Sequence, residues 1–439
     1  MTILTRLLNY PSITRLATHL REPLYRNGYA LVFSSAATSG LGMVYWILAA
    51  HTYSTETIGL NSALISAMIF LANVAQLNLM NALNRFLPTA GQKSWHMVVY
   101  AYVISLVMAV GSSLIFILGL SIWAPELGFL SSSPTFILWF VVATMVWCIF
   151  VLQDSTLIGL RQSSWVPVEN VLFALAKIGL LVGLAAMLPR YGVFVSWTLA
   201  VLITIVPTNF LIFGWLIPRN MRTVSDQTES ITPRQIVKYL AGDYFGSLVS
   251  LAAISLLPII IVVRVGATAN AYFYLSWTIA YTLYLVSRNM GMSLITEAAT
   301  DQRKLNLYSY RTFIQTARLL VPLVIIIVLA APNILRLFGK SYSIEGATLL
   351  RLLCLSALPN IVTSIYTSVV RVQRRMKKLV LILTVPYMLV IVLSYLLMNA
   401  YGVVGVGIAW LASQSLVAVI LLVVEFRFMW KTRNLVIET

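Results

Sequence analysis

Residues 135–158 read TFILWFVVATMVWCIFVLQDSTLI and contain a single charged residue, Asp154. A helix of this length can cross the roughly 30 Å hydrocarbon core of a bilayer. The chain has twelve such apolar runs, at 29–50, 58–83, 96–121, 135–158, 165–188, 193–216, 238–263, 269–294, 313–331, 344–368, 379–399 and 403–426. We expect all of them to be helices, because an open sheet leaves its edge backbone groups without partners in hydrocarbon.

The composition also indicates a membrane protein. Of 439 residues, 60% are hydrophobic and 10% charged, whereas soluble domains carry about 25% charged residues. The first span begins near Tyr29 and has no cleavage site typical of an export signal, so we expect residues 1–27 to be a basic cytoplasmic leader. Cys148 and Cys354 lie in apolar runs and are predicted to be packing residues. Histidines are scattered, and neither a metal site nor a bound cofactor is predicted.

Basic residues are concentrated in alternate connections between the spans. Because cytoplasmic loops carry the excess of Lys and Arg, this pattern predicts that both termini are cytoplasmic. The net charge of +17 is therefore mainly a topology signal that also favours contact with anionic membrane lipids, and no nucleic-acid partner is expected. Five connections are basic: the first contains Arg85 and Lys93, the second Arg161, the third Arg219, Arg222, Arg234 and Lys238, the fourth Arg303, Lys304 and Arg311, and the fifth Arg371, Arg374, Arg375, Lys377 and Lys378.

The order of spans and loops in the first half of the chain recurs about 210 residues later, which favours a duplication. Tyr191-Gly192-Val193, for example, corresponds to Tyr401-Gly402-Val403. Parallel repeats of this kind usually enclose a substrate path. We therefore predict an all-α polytopic protein, with two parallel six-helix bundles around a central cavity. The predicted domains are a leader (1–27), a first half (28–217), a cytoplasmic linker (218–234), a second half (235–427) and a cytoplasmic tail (428–439).

The eighth span has a polar and aromatic stripe at steps of three or four residues, which places its members on one helix face. Aromatic faces suit sugar rings, and a guanidinium suits phosphate. The stripe is predicted to line a substrate path; the alternative is interfacial anchoring of its rings. Its members are Asn270, Tyr274, Trp277, Tyr281, Tyr284 and Arg288.

The second span has a polar face as well, formed by Ser62, Ser66, Asn73, Gln76 and Asn84. Amides are costly in hydrocarbon unless they meet water or partners. We predict that Asn73 and Gln76 face a hydrated cavity, and hydrogen bonding between helices is the alternative.

Charged residues inside spans are functional candidates, because each is costly there. Lys177, near the middle of the fifth span, is predicted either to bind an anionic substrate or to pair with Asp154 or Asp243. The side chains near predicted cytoplasmic span ends can also snorkel or pair locally. These are Asp154, Glu169, Asp243 and Arg318.

The sequence lacks the motifs of two large enzyme classes. It contains no GxxxxGK[ST] phosphate loop and no GxSxG nucleophile motif. The chain is therefore not expected to be an enzyme.

Several short motifs resemble the Wzx-type polysaccharide transporters, which are oligosaccharide flippases of the multidrug/oligosaccharidyl-lipid/polysaccharide superfamily. The resemblance rests on Ile58-Gly59-Leu60, on Asn84-Arg85-Phe86-Leu87-Pro88 and on the two Tyr-Gly-Val motifs, and it extends over residues 25–430. It implies a multi-pass protein of the bacterial inner membrane that translocates an undecaprenyl-diphosphate-linked oligosaccharide by alternating access.

The resemblance also implies roles for particular residues and partners. Lys177 and Arg288 are candidates for binding the diphosphate, and Trp277, Tyr281, Tyr284 and Tyr274 for lining the cavity. A Na⁺ or H⁺ gradient commonly drives the superfamily, which makes Asp154 and Asp243 candidate coupling sites. A polysaccharide polymerase and other assembly proteins are candidate partners.

Three other functions are compatible with twelve spans. A cation-coupled multidrug exporter should offer unpaired carboxylates, whereas the deepest charges here, Lys177 and Arg288, are positive. A lipid II flippase often has additional helices. A membrane glycosyltransferase or polymerase usually needs a large external loop, and the longest outward connection here, Ser121 to Pro134, is short.

Overall fold

The computed structural model describes residues 39–223, 233–300 and 302–424, and all regular secondary structure in these ranges is helical. The all-α prediction is confirmed. The first helices are α1 (39–52), α2 (Thr55–Ala75), α3 (Leu79–Phe86), α4 (Ser94–Leu118), α5 (Pro134–Gly159), α6 (Trp165–Leu184), α7 (Gly192–Leu211) and α8 (Ile217–Thr223). They are followed by α9 (Pro233–Arg264), α10 (Ala267–Thr300), α11 (Leu305–Arg336), α12 (Lys340–Val372), α13 (Met376–Tyr401) and α14 (Val404–Val424).

Each of the twelve predicted spans overlaps helical segments of the described ranges, although residues 29–38 of the first span and 425–426 of the last lie outside those ranges. Nine helical stretches in these ranges are long and apolar enough to cross a membrane. α1, α9 and α10 are not among the nine, so the count of twelve spans stays a prediction. α10 carries the polar and aromatic stripe, which lowers the hydropathy of the helix.

The second predicted span, 58–83, is interrupted, so its prediction as one continuous helix is wrong. α2 ends at Ala75, and Leu77 and Asn78 have φ angles of 48° and 63° in the left-handed region. Asparagine tolerates this conformation better than most residues. The interruption is supported from neighbouring helices, because Cys148 Sγ donates to Ala72 O at 3.3 Å and Tyr244 OH donates to Val74 O at 3.0 Å.

The chain divides into two compact units, one comprising residues 41–274 and the other including residues 275–424. Within the first unit, α6 packs on α7, α4 on α5 and α9 on α2. An apolar core forms where α3, α4, α5 and the end of α7 meet, and it includes Leu83, Val98, Leu152 and Ile212. The predicted division at residues 218–234 stays a prediction, as do the leader and the tail, which lie outside the described residues.

In the second unit, α11 packs on α12, and α14 packs on both α12 and α13. Its core includes Val362, Tyr366, Leu379 and Val417. Large apolar side chains also cover outer surfaces, including those of Leu118, Phe210 and Leu329. Apolar outer surfaces together with buried polar residues are the pattern expected of helices packed in lipid.

α7 continues through a π-helical segment, Ile212–Leu216, into α8. Pro207 lies inside α7, one turn before this segment, and cannot donate a backbone hydrogen bond. π-Helical segments are frequent at functional sites. This irregular part of α7 forms one wall of a pocket described below.

Candidate functional site

Lys177 lies in the middle of α6, in the interior of the first unit, and its side chain is 5% exposed. Its Nζ atom is 4.2 Å from the centroid of the Trp197 ring and 4.8 Å from those of Tyr45 and Phe173. No carboxylate among the described side chains forms an ion pair with Lys177, so the predicted pairing with Asp154 is not present. The Asp243 side chain lies outside the described residues. Lys177 is therefore held by an aromatic box.

Three helices contribute to the aromatic box of Tyr45, Phe173 and Trp197. Tyr45 belongs to α1 and Trp197 to α7, whereas Phe173 precedes Lys177 by one turn of α6. A desolvated cation over such rings is stabilised by about 2 kcal/mol. Ring faces satisfy the positive charge but are not conventional acceptors for the three N–H donors of an ammonium. The Lys177 ammonium can therefore still donate to anionic oxygens.

Hydrogen bonds and further rings fix the aromatic box. The Tyr45 hydroxyl donates to Val193 O at 2.9 Å and lies 3.1 Å from Ser196 Oγ. Trp46 packs on both Tyr45 and Trp197, and Trp147 packs on Trp197. Two further rings complete this second layer, since Tyr274 packs on Trp46 and Phe150 packs on Trp147.

Tyr274, one of two predicted stripe residues within the first unit, is half-buried, and its ring centroid lies 5.0 Å from that of Trp46. It therefore belongs to the second layer around the Lys177 box. That Tyr274 lines a substrate path stays a prediction, and the stripe spacing gave no sign of Trp46 as its neighbour.

The later stripe residues belong to the second unit. Trp277 packs on Trp410 at 4.2 Å and on Tyr281 at 5.6 Å between centroids. Tyr284 is buried, and its hydroxyl lies 2.7 Å from Ser356 Oγ. Trp277 is buried as well, Tyr281 is half-buried and Arg288 is exposed. The rings do share one helix face; that they line a substrate path stays a prediction.

The two amides predicted to face a cavity differ in their environment. Asn73 is partly exposed and donates to Ile69 O of its own helix at 2.7 Å. Gln76 is 1% exposed, and both polar atoms of its amide are enclosed without a hydrogen-bond partner. Gln76 immediately precedes the interruption after α2, where the backbone is irregular. Its amide can therefore still form hydrogen bonds at a place where the helix is broken.

Asn270 is part of the predicted stripe but has a structural partner in α2. Its Nδ2 donates to Gly59 O at 2.7 Å and to Ser62 Oγ at 3.1 Å. A Cβ atom on residue 59 would collide with the carbonyl of Ala267, so only glycine permits this approach of α2 and α10. Asn270 thus anchors one end of α10 within the first unit.

Asn61 was not singled out from the sequence, yet it joins three segments. Its Nδ2 donates to Thr57 O and Arg190 O, and its Oδ1 accepts from Phe194 N. It fixes α2 against the turn before α7. The sequence signal, a single asparagine in an apolar run, does not distinguish such a role from cavity lining.

Two carboxylates of the first unit, those of Glu169 and Asp154, lie near the start of α6. Glu169 is 3% exposed, and both its oxygens are enclosed without hydrogen-bond partners. Asp154 on α5 interacts electrostatically with Glu169, and its Oδ1 is enclosed and unpartnered too. The proximity of Asp154 to a second carboxylate is new relative to the prediction.

No family model and no curated protein matches the chain. Several solved structures match with high coverage. An inward-facing multidrug resistance MATE family transporter of the MOP superfamily matches with a TM-score of 0.71 at 12% identity, over 92% of this chain and 99% of the other. An outward-facing MATE family transporter of the same superfamily matches with a TM-score of 0.65 at 13% identity, over 95% and 97%.

A third match is a MOP superfamily transporter from Pyrococcus furiosus, for which the reverse polarity of its binding pocket suggests a different function. The TM-score is 0.63 at 12% identity, over 91% of this chain and 93% of the other. At these identities the matches show the fold. The chain therefore has the fold of MATE transporters.

Proposed function

We propose that the chain translocates a lipid-linked oligosaccharide, carried on undecaprenyl diphosphate, across the cell membrane by alternating access during surface or exopolysaccharide biosynthesis. The observation that carries this proposal is Lys177, a buried ammonium in an aromatic box with no ion-paired carboxylate among the described side chains.

A diphosphate headgroup needs positive charge when it leaves water, because an uncompensated anion in a low-dielectric region is very costly. The rings around Lys177 stabilise the ammonium before any anion arrives, and its N–H groups can then bond to phosphate oxygens. The surrounding aromatic rings also offer flat apolar faces suited to sugars.

The fold supports the transport part of the proposal. Solved structures with this fold include an inward-facing and an outward-facing transporter, the two states that alternating access requires. The Pyrococcus furiosus match is described as having a binding pocket of reverse polarity that suggests a different function, so the polarity of the pocket varies among proteins with this fold. A Na⁺ or H⁺ gradient is the proposed driving force, with Asp154 and Asp243 as candidate coupling residues.

Export of cationic multidrug substrates is the second candidate function. It is favoured by the buried carboxylates of Asp154 and Glu169, which form no ion pair among the described side chains, and by the multidrug resistance transporters that share the fold. The sign of the charge on Lys177 distinguishes the two functions, since a buried ammonium attracts a diphosphate and would repel a cationic drug.

The proposal can be tested with the full chain reconstituted in liposomes that contain a fluorescent polyprenyl-diphosphate sugar. Dithionite added outside quenches only the outer leaflet, so the assay measures translocation. We expect Lys177→Met to reduce the rate at least tenfold, because methionine keeps the volume and removes the charge. The control is Lys340→Met, at the exposed start of α12, which should translocate at the wild-type rate.

Two outcomes would contradict the proposal. Unchanged translocation by Lys177→Met would exclude the ammonium as headgroup ligand. Efflux of ethidium by the wild-type protein, without translocation of the lipid-linked sugar, would favour the multidrug function.

A further inference from the structure

A pocket of about 550 Å³ lies in the first unit, between α6, α7 and the π-helical segment. Its walls are largely apolar and include Leu172, Phe210 and Trp215, all of which are exposed. Phe210 is 82% exposed. Apolar side chains this exposed on membrane-spanning helices are suited to contact with lipid acyl chains.

Glu169 lines this pocket and is almost completely buried. The Thr208 hydroxyl interacts with its carboxylate but donates to Thr204 O, so neither carboxylate oxygen accepts a well-formed hydrogen bond. No described Lys or Arg forms an ion pair with Glu169. Asp154, which interacts with it electrostatically, adds a second negative group rather than a counter-charge. Because an enclosed, unpartnered carboxylate is costly, this site favours a ligand that brings a positive charge and N–H donors.

The rim of the pocket carries a positive charge, in contrast to the carboxylate of Glu169 in its interior. The guanidinium of Arg219 lies 5.8 Å from the ring centroid of Trp215, which lines the pocket. Trp165, at the start of α6, lines it as well. Tryptophans at helix ends are typical of the headgroup level of a bilayer. The pocket thus combines a deep carboxylate, a guanidinium at the rim and apolar walls.

We propose that this pocket, formed by Trp165, Glu169, Leu172, Phe210 and Trp215 with Arg219 at its rim, binds a membrane aminophospholipid. The primary ammonium of the headgroup bonds to Glu169, the phosphate lies near Arg219, and an acyl chain follows Leu172 and Phe210. A choline headgroup fits less well, because its trimethylammonium has no N–H donor for the carboxylate.

An inorganic cation is a poorer match to the same pocket. Alkali and alkaline-earth ions need several oxygen ligands at short distance. The lining residues supply the Glu169 carboxylate and the Thr208 hydroxyl, and that hydroxyl donates to Thr204 O at 3.0 Å. An elongated amphiphile uses the carboxylate and the apolar walls together.

The test measures lipid binding to the purified full chain by native mass spectrometry and by thermal unfolding, with added dioleoylphosphatidylethanolamine or dioleoylphosphatidylcholine. We expect at least fivefold tighter binding of the ethanolamine lipid and an unfolding temperature several degrees higher with it. Glu169→Gln should abolish the difference and Arg219→Gln should reduce it. The matched control, Glu126→Gln at an exposed position, should preserve it.

A second variant, Leu172→Trp, leaves the charge of the pocket unchanged. Because the larger ring narrows the pocket, this variant should weaken binding of the ethanolamine lipid as Glu169→Gln does. Equal binding of the two lipids by the wild-type chain would overturn the proposal. So would a Glu169→Gln variant that retains the preference, or stabilisation that responds to Na⁺ or protons alone.

Discussion

The two units each contain a cluster of aromatic rings, and the clusters surround different groups. In the first unit, Tyr45, Phe173 and Trp197 enclose the ammonium of Lys177. In the second unit, Trp277 and Trp410 pack on each other, and the hydroxyl of Tyr284 pairs with that of Ser356. The same residue types thus stabilise a charge in one place and a packed apolar layer with a neutral hydrogen bond in the other.

This difference shows that aromatic residues at helical spacing do not by themselves identify a binding site in a membrane protein. The charge does, because holding an ammonium in a buried position costs free energy that a purely structural cluster avoids. The first cluster is accordingly the stronger candidate for substrate contact, and the following substitutions test the distinction.

The largest effect on stability is expected in the second cluster. Trp410 is fully buried and lies within 4.2 Å of the Trp277 centroid. Trp410→Ala should lower the free energy of unfolding by about 3–5 kcal/mol, because it leaves a large cavity. Urea unfolding of the purified protein measures this. Tyr100→Ala, at an exposed aromatic position of α4, should change it by less than about 1 kcal/mol.

The next largest effect concerns the ring nearest to the cation. Trp197→Leu should cost about 2–4 kcal/mol, since it removes both packing and the closest cation–π contact. In a Lys177→Met background the same substitution should cost about 1–2 kcal/mol less, because the charge is no longer present. Equal costs in both backgrounds would mean that the rings do not stabilise the ammonium, and the two clusters would then be alike.

Lys177→Met alone gives a sharper contrast between stability and function. Replacing a buried charge by an apolar side chain of similar volume is often neutral or stabilising. We therefore expect a free energy of unfolding equal to or above that of the wild type, by up to about 1–2 kcal/mol, together with the loss of translocation described above. A large loss of stability would show that Lys177 has an essential structural partner.

The smallest effect is expected for the neutral hydrogen bond. Tyr284→Phe removes the hydroxyl that pairs with Ser356 and should cost about 1 kcal/mol, because Ser356 Oγ still donates to Leu353 O at 2.6 Å. Translocation should remain near the wild-type rate. A strong loss of translocation at unchanged stability would place the second cluster in contact with substrate as well.

Local patterns in the sequence predicted the helices and the shared face of Trp277, Tyr281 and Tyr284, because hydrophobic runs and three- or four-residue spacing depend only on neighbouring residues. The central position of Lys177 in its apolar run likewise singled it out as a charge far from both ends of the span. The box around Lys177 could not be predicted in this way. Tyr45 and Trp197 lie on other helices, and only tertiary packing brings them to the ammonium.

Two other features depended on distant residues in the same manner. The interruption between α2 and α3 lies in an apolar run that reads as continuous, and it is stabilised by donors from Cys148 and Tyr244 on α5 and α9. Glu169 lies near the end of its span, which suggested snorkelling, but packing against α7 encloses its carboxylate. Sequence position along a helix does not show which side chains a neighbour will cover.

The close approach at Gly59 has a consequence for electrical insulation. Where the Ala267 carbonyl meets Gly59, a methyl group does not fit, and a water molecule, which is of similar size, does not fit either. Asn270 occupies the neighbouring backbone acceptor, Gly59 O. No hydrogen-bonded file of water can pass through this contact, so protons cannot leak along it and dissipate a membrane potential.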